Sequence, residues 1–357
     1  MSNSRSAFLF VSASLVPAIC LLLAAVLAGP WPAIALLSMT FLVVAMDRFG
    51  PGFEASTSGL RTLPVVIGVL HFPVLYISVW AIGREAHFDT SQALALFFAS
   101  GLFVGQVSNA CAHEMIHRSK RPLRMLGTGM YCSLLNGKHV SAHLHVHHVH
   151  AGTENDPNSA PLGRSYFRYA VSASLAELRD GLRIESQRHA KQPSRKHPFV
   201  VYWGSAVASL AIAAGLSGFQ GVLMLLLIAL YAQMQLLLSD YVQHYGLRRR
   251  MRPDGKLEPM GPAHSWNAPQ PWSGALTMNA PLHSDHHAAP SRDFAELRLD
   301  PSTMPMLPYS LPVMGAIALC PPLWRRLMDH RVREWVQTGT PLQTEEGGQA
   351  APSPSKV

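Results

Sequence analysis

Charged residues are scarce in this sequence: Asp, Glu, Lys and Arg make up only 14% of its 357 residues, whereas 48% are hydrophobic. Ordinary soluble domains carry about 25% charged residues. The deficit argues against a soluble protein and predicts an integral membrane protein. The mean hydropathy of +0.14 points in the same direction.

Cysteines are also few, and none of the four lies in a CxxC pair. Disulfide frameworks and zinc ribbons need cysteines at close, repeated spacing, so we expect neither. A GxGxxG strand–turn–helix, which would indicate a fused flavin or nucleotide domain, is missing as well. The cysteines are predicted to be small apolar residues in or near membrane helices, namely Cys20, Cys111, Cys132 and Cys320.

Long uncharged runs are what the sequence has instead. Residues 7–29 contain no charged side chain, and at about 1.5 Å per residue such a helix crosses roughly 30 Å of hydrocarbon. This run is longer than the apolar part of a signal peptide and a second run follows at once, which disfavours cleavage. The sequence predicts six spans, at about residues 7–29, 31–46, 62–82, 92–112, 198–217 and 219–239.

Lys and Arg are unevenly distributed between the segments that join the spans. The short loops near residues 30, 83–91 and 218 contain a single basic residue, Arg84, whereas residues 113–197 and the chain after the last span hold most of the others. Basic loops stay on the cytoplasmic side, so both termini and both large segments are predicted to be cytoplasmic. The net charge of +8 is expected to face anionic lipid rather than nucleic acid.

The chain is predicted to form one membrane domain over residues 1–335, followed by a disordered tail over 336–357. Within the domain, the apolar periodicity of residues 165–191 predicts a helix. Residues 251–281, which are rich in Pro and Gly, are predicted to form an irregular loop. Residues 303–324 are apolar but contain five prolines, so an interfacial or re-entrant segment is expected there.

Histidine is abundant, with 18 residues, and four short windows contain histidines in a suggestive pattern. AHEMIHR holds two at i, i+4, which places both imidazoles on one helix face. HLHVHH repeats that spacing and adds an adjacent histidine, SDYVQHYGL holds one after the sixth span, and LHSDHHAA holds three. The nine candidate metal ligands are His113, His117, His143, His147, His148, His244, His283, His286 and His287.

The predicted topology brings all four windows to the cytoplasmic surface, just outside the hydrocarbon. A zinc ion usually takes four ligands, so nine histidines suit two ions rather than one. Neutral imidazole binds iron, copper, nickel and zinc, so the ligand type leaves the metal open. His139, His145 and His150 are expected to lie around the ligands or at the surface.

Four carboxylates near these windows are expected to accept the second N–H of a ligating imidazole, as is usual in metal sites. Asp285, between two histidines of the last window, is the strongest candidate. Helix capping is the alternative role, above all for Asp156, which opens DPNSAP. The four are Glu114, Asp156, Asp240 and Asp285.

Two other functions also use histidine ligands and are alternatives for these windows. HEMIH alone matches the HExxH motif of zinc metalloproteases, with Glu114 as the general base, but a one-zinc protease leaves seven histidines without a role. A metal storage or transport protein would place its ligands along a path through the bilayer. Here the windows cluster at one face, which disfavours that function.

AHEMIHR, HLHVHH, HYGL and LHSDHHA resemble the four histidine motifs of the integral-membrane alkane hydroxylases (alkane 1-monooxygenases). That group includes xylene monooxygenase, and the membrane fatty acid desaturases are more distant relatives. The resemblance covers about residues 92–290 and includes TENDPNSA, which resembles the stretch after the second motif. HYGL followed by HSDHHA is specific, whereas HExxH is not. Ala142 stands where the group usually has Glu, and Leu144, His145 and Val146 also differ, which predicts a divergent branch of the group.

The resemblance implies an all-α integral membrane protein with six transmembrane helices and a cytoplasmic histidine-rich region, in which the nine histidines hold two non-haem iron ions. It implies an O2-dependent monooxygenase of the bacterial inner membrane. This enzyme would hydroxylate the terminal C–H of alkanes or alkyl groups that enter from the lipid. Its electrons would come from a rubredoxin- or ferredoxin-type donor with its reductase.

The same irons would serve a fatty-acyl desaturase, or a fatty-acid decarboxylase that forms a terminal alkene. An Arg or Lys aimed into the pocket would favour such an acid substrate. The pocket is expected to be lined from spans two to four, for example by Phe97, Phe98, Leu102 and Phe103. Donor docking, or more simply headgroup anchoring, is expected of Arg248, Arg249, Arg250 and Arg252.

Overall fold

The computed structural model describes residues 2–50, 60–84 and 88–338, which are predominantly helical. These residues form no β-strand, only two isolated bridges between single residues. The predicted all-α class is therefore confirmed. The predicted tail over 336–357 lies outside the described residues except for its first three, which end the last helix at Thr338.

Long apolar helices identify a membrane protein. Four helices in the described ranges are long and apolar enough to cross a membrane, or five if a pair bent by 41° forms one broken span. These helices are α1 (Ser2–Leu27), the bent pair α2 (Trp31–Met39) and α3 (Phe41–Phe49), α4 (Leu63–Ile82), α5 (Thr90–Ile116) and α9 (Pro198–His244).

Helix α9 consists of two arms that run back along each other. The chain leaves helical geometry at its midpoint, where Gly218 has a φ of 57°. Ser209 in the first arm donates to the carbonyl of Ser133 at 2.8 Å, and Gln233 in the second arm donates to the carbonyl of Leu134 at 2.9 Å. A straight helix would separate residues 209 and 233 by about 36 Å. The chain therefore reverses at the break, where the sequence separates the fifth and sixth predicted spans.

Helix α5 widens to a π-helix over Phe103–Ser108, just before the first histidine window. The second arm of α9 packs closely on this part of α5. A Cβ at Gly101 would lie 2.1 Å from the Tyr231 ring, and one at Gly105 would lie 2.2 Å from the Gln235 amide. Only glycine permits this approach. Such bulges are frequent at functional sites.

The remaining helices include α8, which confirms the helix predicted over residues 165–191. Helix α12 has only eight residues, which is too short to cross a membrane. Two 3₁₀ turns, Pro262–His264 and Phe294–Glu296, lie among them. These helices are α6 (Arg121–Ser133), α7 (Lys138–Ala142) with its π-helical extension (His143–His147) and last turn (His148–His150), α8 (Tyr166–Lys191), α10 (Pro271–Leu276), α11 (His283–Ala288), α12 (Leu311–Ala318) and α13 (Pro321–Thr338).

A buried aromatic cluster ties α8, α9 and α13 together. The ring of Tyr241 lies 5.3 Å from those of Tyr169 and Tyr245, and the ring of Tyr245 lies 5.2 Å from that of Trp324. Each such pair contributes about 0.5–1.5 kcal/mol beyond the burial of its area. Tyr245 directly follows His244, so this packing fixes the end of α9 where a candidate ligand lies.

Candidate metal centre

The four histidine windows lie on four helical segments that meet in one place. The first ends α5, the second is the π-helical extension of α7 with its last turn, the third ends α9, and the fourth forms most of α11. All nine candidate ligands fall into two groups, in each of which the ligand nitrogens lie within 4.8 Å of one another. The first group is His113, His117, His143, His148 and His286, and the second is His147, His244, His283 and His287.

The nitrogens of the first group are spaced like ligands around one ion. Nε2 of His143 lies 2.8 Å from Nε2 of His113 and 3.0 Å from Nε2 of both His117 and His148. An imidazole nitrogen carries one proton or one lone pair, so hydrogen bonds cannot satisfy three such neighbours at once. Metal–nitrogen bonds of about 2.0–2.1 Å place adjacent ligands about 2.9–3.4 Å apart. The donor set therefore fits a bound metal ion.

The second group has the same spacing and a carboxylate partner. The Nε2 atoms of His244, His283 and His287 lie 3.0–3.2 Å apart. Nδ1 of His147 lies 3.0 Å from Oδ2 of Asp156, and its buried Nε2 has no partner. A ligating imidazole is typically held in this way, so His147 directs a free lone pair towards the other three histidines.

Burial keeps most of these imidazoles uncharged. Desolvation, helped by neighbouring histidines, lowers the pKa of His117 to about 4 and that of His283 to about 3. His147 differs, because the Asp156 carboxylate outweighs the effect of burial and raises its pKa. Neutral imidazole is the form that binds metal. The same causes hold the pKa well below its usual value for His143, His148, His286 and His287.

Two of the predicted carboxylate partners contact arginine rather than a candidate ligand. Glu114 accepts hydrogen bonds from Arg118, one turn later, and from the backbone N–H of Phe294 at 3.1 Å. Asp285 forms an ion pair with Arg292. Both carboxylates lie next to a window in sequence, but the tertiary structure brings a cation closer to each than an imidazole.

A buried polar network lies beside the two groups and includes His139, which the sequence analysis did not count among the ligands. Glu177 accepts from Nδ1 of His139 at 3.1 Å and from Lys138 at 3.2 Å. Asn158 bridges Glu177 and Asp240 at 3.0 and 2.7 Å. Burial opposes ionisation of Glu177, but the Lys138 ammonium and the hydrogen bonds from His139 and Asn158 outweigh it and hold its pKa below the usual value. The sequence signal for His139 is its position four residues before the second window.

A cavity of about 130 Å³ opens beside both groups. It is lined by His113 and His143 of the first group and by His283 of the second. An engineered apolar cavity of about 150 Å³ holds one benzene molecule, so this one has room for the end of an alkyl chain. None of its lining residues is Lys or Arg, and its apolar wall comes from the bulge of α5, the second arm of α9 and α12, namely Gly105, Leu236, Leu238, Leu311, Pro312 and Gly315.

The four residues expected to line the pocket do not line this cavity, namely Phe97, Phe98, Leu102 and Phe103. Phe97 stacks on Tyr231 with ring centroids 6.2 Å apart, and Phe98 is 44% exposed. The cavity starts at Gly105 on the same helix.

Three of the four arginines after His244 donate to backbone carbonyls, and the fourth, Arg252, pairs with Asp254 at 3.7 Å. Arg248 donates to Thr153 at 3.3 Å and to Ser159 at 3.0 Å, and Arg249 donates to Val149 at 3.3 Å. They fasten the chain after α9 to the segment after the second window. Donor docking and headgroup anchoring by these residues stay predictions.

Comparisons with known proteins agree with one another. The fatty acid desaturase family model matches residues 90–315, which contain all nine histidines. The chain is 31% identical to alkane 1-monooxygenase 1 of Pseudomonas aeruginosa over 286 residues, 77% of this chain and 72% of that protein. It is 29% identical to alkane 1-monooxygenase 2 of the same organism over 77% of this chain and 73% of that protein. It is 25% identical to the xylene/toluene monooxygenase hydroxylase component of Pseudomonas putida, over 84% of this chain and 79% of that protein.

Proposed function

The chain belongs to the fatty acid desaturase family, and from this premise we propose that it is a monooxygenase that hydroxylates the terminal carbon of alkanes or alkyl groups. Relatives covered over more than two thirds of their length are named alkane 1-monooxygenases. One observation carries the proposal: histidines of both groups line the same cavity. A molecule in that cavity is therefore within reach of chemistry at either group.

We assign one non-haem iron ion to each group of imidazoles. Five imidazoles converge on one point and four on another. Nine ligands in total are more than a single ion usually takes. Bound iron supplies dioxygen activation and the removal of hydrogen from an unactivated C–H bond. The chain supplies neutral imidazoles, the orientation of His147 by Asp156, and a cavity that brings the alkyl chain to both groups.

The cavity suits an alkyl chain better than a fatty acid. Its lining combines leucine and proline side chains with neutral amides, hydroxyl groups, imidazoles and the Asp240 carboxylate, and it contains no Lys or Arg. A carboxylate buried without a cationic partner is strongly disfavoured. This observation favours the hydroxylase over a fatty-acyl desaturase or a decarboxylase, each of which needs a place for an acid or its carrier.

An external donor supplies the electrons in this proposal. In hydroxylation one oxygen atom enters the C–H bond and the other leaves as water, which consumes two electrons and two protons. The sequence has no CxxC pair and no GxGxxG motif for a fused redox domain. A small rubredoxin- or ferredoxin-type protein with its reductase is the donor we propose.

We also propose that the chain lies in the bacterial inner membrane with its metal centre on the cytoplasmic side. Counting the bent pair α2 and α3 as one span and the arms of α9 as two gives six spans. The basic segments between spans four and five and after span six support this orientation.

The structure gives a reason to set aside an HExxH zinc protease. Glu114, which would be its general base, is engaged by Arg118 and by the backbone N–H of Phe294. His113 and His117 share their group with three further histidines. A one-zinc protease needs a free glutamate as general base and has no role for three further histidines at its ion.

Metal content and product identity, measured together, test the function. The full chain is purified in detergent, iron and zinc are counted per chain, and a rubredoxin or ferredoxin with its reductase is added with O2. Octane and dodecanoic acid are offered side by side. Two irons per chain with octan-1-ol formed is the expected result. Two irons with an alkene or an unsaturated acid formed would instead support a decarboxylase or a desaturase. One zinc without oxygen uptake would refute the hydroxylase and both of these alternatives.

A further inference from the structure

His139 is a further histidine at this centre that belongs to neither group of candidate ligands. It is 1% exposed and lines the cavity together with His113, His143 and His283. Its ring lies 5.2 Å from that of His143, at an interplanar angle of 31°. A buried imidazole therefore borders the space for the alkyl chain without being placed to hold a metal ion.

Hydrogen bonding determines which nitrogen of His139 is free. Nδ1 lies 3.1 Å from Glu177, and Lys138 and Asn158 donate to the same carboxylate. An ionised carboxylate can only accept hydrogen bonds, so it keeps the ring proton on Nδ1. In the neutral form of the ring, Nε2 is then the nitrogen that carries the lone pair.

That lone pair has no partner among the described residues, although Nε2 is buried. Burial of an acceptor without a hydrogen bond is unfavourable, and such an atom in a folded protein calls for a bound donor. Nε2 is the remaining polar atom of a ring that lines the cavity. An alkane has no donor to offer it, whereas an O–H group does.

We propose that His139 is a positioning residue that accepts a hydrogen bond from the hydroxyl group of an alcohol bound in the cavity. The inference rests on the proposed function, because hydroxylation of an alkyl chain creates an alcohol in this space. The product gains a hydrogen bond that the alkane lacks. The product alcohol therefore competes with the alkane for the cavity more strongly than its apolar chain alone would allow.

Equilibrium binding of two isomers to the purified, detergent-solubilised protein tests this inference without turnover. Octan-1-ol and 1-methoxyheptane have the same atoms, but only the alcohol has an O–H to donate. The anaerobic wild-type protein is expected to prefer the alcohol about three- to tenfold, as one neutral hydrogen bond allows. His139→Phe keeps an aromatic ring and removes the acceptor, so it is expected to abolish the preference.

His145→Phe is the matched control. His145 lies on the same helical segment and pairs with Glu185 at 3.6 Å, but it does not line the cavity. It should keep the wild-type preference. Glu177→Gln lets the ring carry its proton on Nε2, which then donates to the ether oxygen, so the preference should narrow. Should His139→Phe fail to fold, Glu177→Gln decides the question with the ring still present.

The outcomes separate this inference from the proposed function. An unchanged preference in His139→Phe overturns it and leaves Nε2 to water. An equal loss in His145→Phe overturns it too, because the effect is then not specific to the cavity. Alcohol preference without octane hydroxylation supports the role of His139 and refutes the function. Octane hydroxylation by a wild-type protein that binds the two isomers equally supports the proposed function and refutes the role of His139.

Discussion

Single residues at this centre act through the neighbours that orient them, and Asp156 shows this most clearly. Its Oδ2 atom contacts Nδ1 of His147 and accepts from the Ser159 hydroxyl at 2.6 Å. Its Oδ1 atom accepts from the backbone N–H of Asn158 at 3.1 Å. The two roles weighed in the sequence, imidazole partner and local cap, are therefore combined in one carboxylate. Its turn holds it rigidly where the imidazole needs it.

Asp156→Asn is expected to weaken metal binding by the second group about 10- to 100-fold, the usual effect of removing such a carboxylate. The amide carries no charge and presents an N–H as readily as an oxygen, so it no longer fixes His147. Iron per chain after dialysis against graded chelator measures the effect. Asp285→Asn is the control, since Asp285 pairs with Arg292. Equal iron loss from both variants would show that Asp156 has no special role.

Helices set the distances at the centre through their irregular parts. The π-helical extension of α7 holds both His143 and His147, yet these two imidazoles belong to different groups. In a regular α-helix residues four apart share a face; the wider π turn offsets them. Spacing in the sequence predicted the ligand types and their helices, but it did not predict this division, because a π-helix is not visible in the spacing.

Gly105→Ala is expected to destabilise the folded protein by about 1–3 kcal/mol through overpacking. Its Cβ would lie 2.2 Å from the Gln235 amide, so that side chain would have to move and lose its hydrogen bond to the Gly101 carbonyl. The thermal midpoint in detergent and iron per chain measure this. Gly215→Ala is the matched control, because a Cβ there meets nothing within 4 Å. If both variants lower the midpoint equally, the close approach of the helices is not the cause.

At the scale of the whole molecule, the fold gathers windows that lie far apart in sequence. The first candidate ligand is residue 113 and the last is residue 287, and the reversal of α9 returns the chain to the histidines of α5. The aromatic cluster at Tyr245 and the arginine contacts after α9 then hold the third window, at the end of α9, in its position. Nine imidazoles facing two points repel one another without a cation. Metal binding is therefore expected to contribute to folding itself.

The hairpin of α9 predicts that its turn and its start lie on opposite sides of the membrane. Single cysteines at exposed Gln220 and exposed Lys196, in a Cys320→Ser background because Cys320 is exposed, report this. An impermeant maleimide added to intact spheroplasts is expected to label Gln220→Cys and to label Lys196→Cys only after lysis. Labelling of both without lysis would mean that the first arm does not cross the membrane.

The sequence by itself determined the membrane class, the all-α fold, the nine candidate histidines and the reversal near residue 218. These features follow from the length of the apolar runs and from residue spacing along a helix, both of which are local. Only the tertiary structure decided the five-and-four division of the histidines, the arginine partners of Glu114 and Asp285, the position of the cavity at Gly105, and the free nitrogen of His139. Each of these depends on which side chains meet across helices distant in sequence, and local spacing carries no information about that contact.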